Sequence, residues 1–371
     1  MNKNKRKTIL ILMIIMLILI GPKLINAARK TISTVEKEIY LIKEIETDYQ
    51  GVVTYKKMEE GILQYWDGIL AFYDLAGIQK WHIFLGITNP MIKTNSNNIY
   101  VVDNSKNQLL RIGKNGEIIY RYASEEALKN FEVCEENYVI LQYPEKNKLT
   151  KLTILNQEGR EHSNFSLTEG AVISLAISKK HDFVAVNTLK SNNTIESSLL
   201  TYDTKGQLIG STSLKDQLVL GFLYDSKGNL IAVKEEEVLS INKTNKILWN
   251  TFVDRTKLFK EQPFRHITFY SGESGKNPLI HTKGGEKVKI IQYNGNVVGE
   301  TTTEESILGI DVNEKAIAAY SLRTIYLLDE RGIVEMEHKY SSDIEEVFIF
   351  SKEHVVVVTK GKVAFMRIIE R

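Results

Sequence analysis

The chain is poor in several things that usually announce a function. Its 371 residues hold one cysteine, Cys134, so no intrachain disulfide can form. The seven histidines are scattered, with no His-x-x-x-His or Cys-x-x-Cys spacing, and no metal site can be assigned from them. Neither sign of charge prevails: 48 Lys and Arg stand against 46 Asp and Glu. The only basic block is Lys3 to Lys7, so the electrostatic footprint of a nucleic-acid binder is missing. Five prolines and few long helical patterns leave strands as the dominant element.

What is present is a turn that returns. Short apolar strands run into tight Asp, Asn and Gly turns ending at Gly77, Gly116, Gly159, Gly206, Asn245, Gly295 and Gly332. The intervals between these positions are 39, 43, 47, 39, 50 and 37 residues. Four strands to a unit of about 40–50 residues is the period of a β-propeller, an all-β fold of radial four-stranded blades.

The N-terminus is the second clear signal. Four cations precede an uncharged apolar run at residues 9–21, an arrangement that holds the N-terminus in the cytoplasm and sends the rest across the membrane. Extended to residues 8–28, the run reaches roughly 31 Å as a helix, enough for one transmembrane anchor if Lys23 snorkels. The competing reading is a signal peptide cleaved near Ala27. Either places the bulk of the chain outside the cytoplasm. No cysteine stands directly after the run, which excludes a lipid-modified anchor. The expected organisation is a basic segment at 1–7, an anchor at 8–28, a linker at 29–50 and a propeller at 51–371.

Seven blades can be traced in order from the strand patterns. Blade six is the least regular, with strands expected at residues 268–270, 279–282, 288–293 and 297–301. After the seventh blade only three strands remain before Arg371. Propellers close when one terminus completes the blade begun by the other, which removes the open edge. Residues 38–46 are the expected fourth strand, favouring eight blades over seven. The alternative is a short stalk helix, because Ile32, Val35, Ile39 and Ile42 fall at helical spacing. Cys134 ends an alternating stretch, Phe131 to Cys134, and reads as a buried structural thiol.

The segment from Leu70 to Trp81, with its Ala76-Gly77 turn leading to Trp, resembles the PQQ-type propeller repeat; Ile241 to Trp249 is a second copy with Asn245 in the Gly place. Two of the seven repeats carry the Trp. The resemblance covers roughly residues 50–371 and implies a fold with Trp covering the neighbouring blade, without an activity. With its basic-flanked apolar start, the chain also resembles an uncharacterised group of membrane-anchored Gram-positive propeller proteins.

No cofactor is expected: the calcium cluster of a quinoprotein dehydrogenase cannot be assigned to residues here. Residues 272–276, Gly-Glu-Ser-Gly-Lys, lack the spacing of a phosphate loop, and the turn from Asp225 to Asn229 lacks a Glu at the twelfth position of a calcium loop. Three long connections, residues 123–130, 187–198 and 254–266, are expected on the face shared by the D–A and B–C connections. They nominate Asn192, Asn193, Phe259, Phe264 and Arg265 for partner binding. The expected protein is a non-enzymatic, monomeric, extracytoplasmic propeller, tethered to the membrane by its N-terminal helix and binding a protein or cell-wall partner. The alternative class is an enzyme acting on glycans or peptidoglycan fragments with carboxylates in the central channel.

Overall fold

Eight four-stranded antiparallel sheets account for all thirty-two strands of the computed structural model. It describes residues 37–47, 53–168, 170–178, 180, 183–191, 195–215, 217–244, 246–262, 265–272 and 286–370. Each sheet is one blade, with strands A to D running from the centre outwards. The inner strands are Thr54–Met58, Met91–Thr94, Asn130–Val133, Ala171–Ile177, Val219–Tyr224, Thr256–Gln262, Gly309–Val312 and Ile344–Ile349. The proposed anchor lies outside the described residues, and no helix among those residues is long and apolar enough to cross a membrane.

Blade eight joins the two ends of the chain. Strands A to C come from Ile344–Ile349, His354–Thr359 and Lys362–Glu370, and strand D is Lys37–Glu46. The closing pair is antiparallel, from Lys37 opposite Glu370 to Glu46 opposite Lys362. The expected eighth blade is therefore formed, and the helical alternative fails over residues 37–46. Its physical reason is two-sided packing: Ile39 covers the core between blades seven and eight, and Ile45 that between eight and one. A helix would have left the edge of Lys362–Glu370 unpaired.

Burial follows position within the blade. Strand B of blade two, Asn98–Asp103, is buried throughout, whereas the outer strands Gln79–Phe84 and Ile247–Phe252 alternate between half-buried and exposed. Blade faces meet through interdigitated aliphatics, as where Leu63 and Leu70 of blade one pack with Ile92, Ile99 and Val101 of blade two. Each such side chain contributes about 1.5–3 kcal/mol on burial, which stands in for the missing disulfides.

The recurring turn sits between strands C and D, where an Asp or Asn side chain holds two backbone N–H groups. Asp74 Oδ1 accepts from Ala76 and Ile78 at 3.0 and 2.9 Å, and Asn156 Oδ1 accepts from Glu158 and Arg160 at 3.1 and 2.9 Å. The turn glycine also receives an aromatic ring from the preceding blade. Gly116 has φ +88°, and a Cβ there would lie 2.9 Å from Trp81 Cδ2. Trp249 covers Gly295, Tyr120 covers Gly159 and Phe165 covers Gly206 in the same way.

At these four junctions a hydrogen bond to the carbonyl two residues before the glycine accompanies the ring. Trp81 Nε1 donates to Lys114 O at 2.8 Å and Trp249 Nε1 to Tyr293 O at 3.1 Å. Where the aromatic has no indole, Arg111 Nη1 donates to Gln157 O and Ser163 Oγ to Thr204 O, both at 2.6 Å. The Trp-cover resemblance thus extends to junctions without Trp.

Blade six differs from expectation. Its strands are Thr256–Gln262, His266–Ser271, Glu286–Gln292 and Val297–Thr303. Residues 256–262, expected in a long loop, form the inner strand, and residues 268–270 belong to strand B. The inner strand is hard to read in sequence because Lys257, Lys260 and Glu261 interrupt its apolar pattern, and a register shift between Thr256 and Leu258 breaks the alternation. The expected strand at 279–282 lies outside the described residues.

Candidate functional site

Strand direction alternates within a blade, so A–B and C–D turns share one face and D–A and B–C connections share the other. The central channel between the faces is lined by the inner strands, and it has two unlike halves.

One half is charged. Lys57 Nζ donates to Asp311 Oδ2 at 2.7 Å, to Val312 O at 2.9 Å and to Ile349 O at 2.5 Å. Burial lowers the Lys57 pKa, with Lys260 adding to the fall, against the attraction of Asp311. Glu346 lies nearby; burial raises its pKa and Asp311 raises it further, while Lys56 and Lys260 oppose. Between blades two and three, Lys93 bonds Glu132 and lies 5.4 Å from the Phe131 ring centroid. Burial raises the Glu132 pKa against that lysine.

The other half is a cavity of about 390 Å³ bounded by the inner strands of blades three to six and opening toward the A–B turns. Leu175, Ile177, Phe222 and Phe259 supply apolar walls, and Glu132, Glu135 and Glu261 the carboxylates, Glu135 accepting from the Ser96 N–H and hydroxyl at 3.1 and 2.7 Å. Glu132 is bonded by Lys93 and Glu261 accepts from the Tyr293 hydroxyl. The Ser174 and Tyr224 hydroxyls, both on residues lining the cavity, have no hydrogen-bond partner. Cys134 also lines it, its thiol pushed up to about 12 by burial. Among the described residues no group of His, Cys, Asp and Glu could hold a metal ion. The chemistry available is that of an amphipathic pocket with carboxylates already engaged.

Of the five residues nominated from sequence, two, Phe259 and Arg265, are among the described residues. Asn192, Asn193 and Phe264 lie outside the described residues. Phe259 belongs to the inner strand of blade six, where its ring stacks on Phe269 at 6.3 Å and lies beneath Gly221. Arg265 is in the A–B turn of blade six, its Nη1 3.5 Å from Glu330 Oε2 and 3.3 Å from Glu314 O. Residues 187–191 and 195–198 are paired strands of a hairpin, not loop. The connection at 124–129 is the one expected loop that remains a loop.

Sequence reasoning missed the inner-strand charges as a group. A lysine pair, Lys56-Lys57, within an otherwise strand-like run was the available signal, and its partners lie 254 and 290 residues further on.

Together the closed ring, the glycine-capped turns and the central channel define an eight-bladed β-propeller closed by its N-terminal strand. The chain belongs to a family of unknown function, DUF5711, whose sequence profile matches residues 33–368. No curated protein matches it in sequence. Among solved structures it is similar to the C-terminal WD40 domain of Sif2, at TM-score 0.61 and 8% identity over 90% of this chain and 99% of that one. The Dos1 propeller is similar at TM-score 0.58 and 11% identity, over 89% and 94%. BamB from Moraxella catarrhalis is similar at TM-score 0.55 and 9% identity, over 89% and 100%. At these identities the likeness is one of fold.

Proposed function

We propose that this protein is a non-enzymatic, extracytoplasmic propeller, tethered to the membrane by residues 8–28, that displays its outward face to a protein partner of the cell envelope. The observation that carries the reading is the direction of the closing strand. Lys37 stands opposite Glu370 at the end of strand C, so the N-terminal segment leaves from the A–B/C–D face. Residues 29–36 span at most about 28 Å when extended, which keeps that face near the bilayer. The D–A/B–C face then points away from it. That outward face exposes Ile173, Leu218 and Leu220 at the channel mouth, with Leu308 and Leu322 further round.

Intact mass and membrane fractionation of the protein in a Gram-positive host test the tether. Full-length mass in the membrane pellet is the expected result; loss of about the first 27 residues with release into the medium would replace the tether with secretion. Photo-crosslinkers at Leu220 and Leu322 are expected to capture an envelope protein that crosslinkers at Lys114 and Asn294, on the tether face, do not.

A second reading, an enzyme acting on glycans, draws on Glu132 and Glu261 in one cavity. Their existing bonds to Lys93 and Tyr293 weigh against it. Glycan hydrolysis lost in both Glu132→Gln and Glu261→Gln would establish it in place of the first.

A further inference from the structure

The face from which the N-terminal segment leaves carries lysines and exposed aliphatic side chains together. Lys180 and Lys227 are exposed in the A–B turns of blades four and five, and Lys205, Lys243 and Lys246 lie exposed in or beside the C–D turns of the same blades. Three of these turns converge on one ring. Phe183 opens strand B of blade four, Lys243 Nζ lies 4.7 Å from its centroid, and the Gly228 next to Lys227 packs against its edge. Lys180 is three residues from it in sequence.

Carboxylates in these turns are taken up by turn N–H groups and make no ion pair with the amines. Asp203 Oδ1 accepts from the backbone N–H groups of Lys205 and Gln207 at 2.9 and 2.8 Å, and Asp225 Oδ1 from those of Lys227 and Asn229 at 2.8 and 2.7 Å. Asp225 Oδ2 accepts from Asn229 Nδ2 at 2.8 Å. Among the described residues none of the five lysine amines is in an ion pair, whereas Lys37, Lys57, Lys93, Lys234 and Lys289 elsewhere are.

Directly behind the lysines come large aliphatic residues that nothing covers. Leu208 is 56% exposed and Ile247 51%, with Ile209 and Leu248 beside them. All four open the outer strands Leu208–Lys215 and Ile247–Phe252, at the end nearest the tether face. Ile78, Ile118, Ile119 and Val297 occupy the corresponding ends of blades one, two and six and are exposed as well. The opening of the outer strand is therefore apolar and bare in five blades. Cations flanked by exposed aliphatics suit the boundary between lipid headgroups and acyl chains, where ammonium groups meet phosphates and aliphatics enter the interface.

We infer that the A–B/C–D face lies on the bilayer itself, with Lys180, Lys205, Lys227, Lys243 and Lys246 engaging the phosphates of anionic lipids. This inference rests on the tether of the proposed function. The tether enters at blade eight, half a ring away from blades four and five, so lipid contact at the lysines adds a second point of attachment. Two points on opposite sides of one face would stop the propeller swinging on its short linker.

The test reconstitutes the full chain into vesicles of phosphatidylcholine, with and without phosphatidylglycerol, and reads lysine acetylation by mass spectrometry. The five lysines are expected to react roughly five-fold more slowly on the anionic vesicles at low salt, the protection disappearing at high salt. Lys148 and Lys360, exposed on the opposite face, are expected to react equally on both. Co-sedimentation reports the tether separately. A protein that pellets with both vesicle types while its five lysines react alike on each overturns the lipid seat and leaves the tether standing. A protein that pellets only with anionic vesicles, with the lysines protected, supports the lipid seat and removes the tether. A protein that pellets with neither overturns both. The quadruple variant K205Q/K227Q/K243Q/K246Q, with circular dichroism to confirm its fold, is expected to lose the protection of Lys180 on anionic vesicles. Undiminished protection of Lys180 in that variant would overturn the assignment of these lysines.

Discussion

Lys57 and Asp311 meet across a blade that belongs to neither of them. Lys57 is on the inner strand of blade one and Asp311 on that of blade seven, and Nζ stands 2.7 Å from Oδ2. The inner strand of blade eight passes between: Ile349 gives its carbonyl to the lysine and its N–H, at 2.8 Å, to the aspartate. One ion pair thus pins the blade where the ring closes, from its channel side, while Lys37 bonds Glu335 of blade seven from the outer side.

Removing the cation should therefore weaken the seam more than a surface pair would suggest. Lys57→Met leaves Asp311, largely buried, with the Ile349 N–H as its remaining partner. The expected loss is about 2–3 kcal/mol in denaturant unfolding, mostly from the stranded charge. Lys57→Met/Asp311→Leu should recover a good part of it. Equal losses in the single and double variants would assign the effect to packing instead.

The blade-to-blade cover makes a separate demand on Gly116. Alanine there must hold φ near +88° and place Cβ within 2.9 Å of Trp81, whose ring stacks on Phe72 with centroids 5.9 Å apart. Gly116→Ala is expected to destabilise by about 1–3 kcal/mol. Gly361→Ala, with nothing within 4 Å of the new Cβ, keeps only the backbone strain at φ +77° and should cost less. Thermal unfolding of the two variants side by side checks the ranking.

Glu346 carries a pH dependence. Its pKa is raised in the folded state, first by burial and then by Asp311, with Lys56 and Lys260 opposing. The folded state binds its proton more tightly than the unfolded one, so this group's contribution to stability declines as pH rises from the ordinary Glu value through the raised one. Glu346→Gln should raise the urea midpoint at pH 8 more than at pH 4. A variant whose midpoint gains nothing at pH 8 would contradict the assignment.

Cys134 offers a direct probe of the interior. A thiol pushed up to about 12 by burial is almost wholly protonated at pH 8. Its reaction with a disulfide reagent in the folded protein should be on the order of a thousandfold slower than in denaturant. Rapid labelling of the native state would mean that the channel wall opens.

Much of this architecture could be read before any coordinates. The turns at Gly77, Gly116, Gly159, Gly206, Gly295 and Gly332 are legible because Asx chemistry and positive φ admit few residue types, so the period survives where strand residues drift. The eighth blade could be inferred by counting the strands after Tyr340. Two things were illegible for a common reason, that they depend on residues far apart in the chain. The inner strand Thr256–Gln262 carries charges explained only by the channel it lines. The hydrogen bonds from Arg111 and Ser163 replace a Trp indole from different positions, and no repeat alignment would pair them.

Closing the ring with Lys37–Glu46 also fixes the order in which the molecule can be finished. Among the described residues the first strand, Lys37–Glu46, waits for the last, Lys362–Glu370, and no other strand pairing closes a longer loop. Seven blades can assemble behind the growing chain, but the eighth has no substitute for its C-terminal strands. A chain that stops early keeps an unpaired edge, open to pairing with other chains and to proteolysis. The seam therefore works as a check on completeness: only a chain synthesised to its final strand becomes a closed ring.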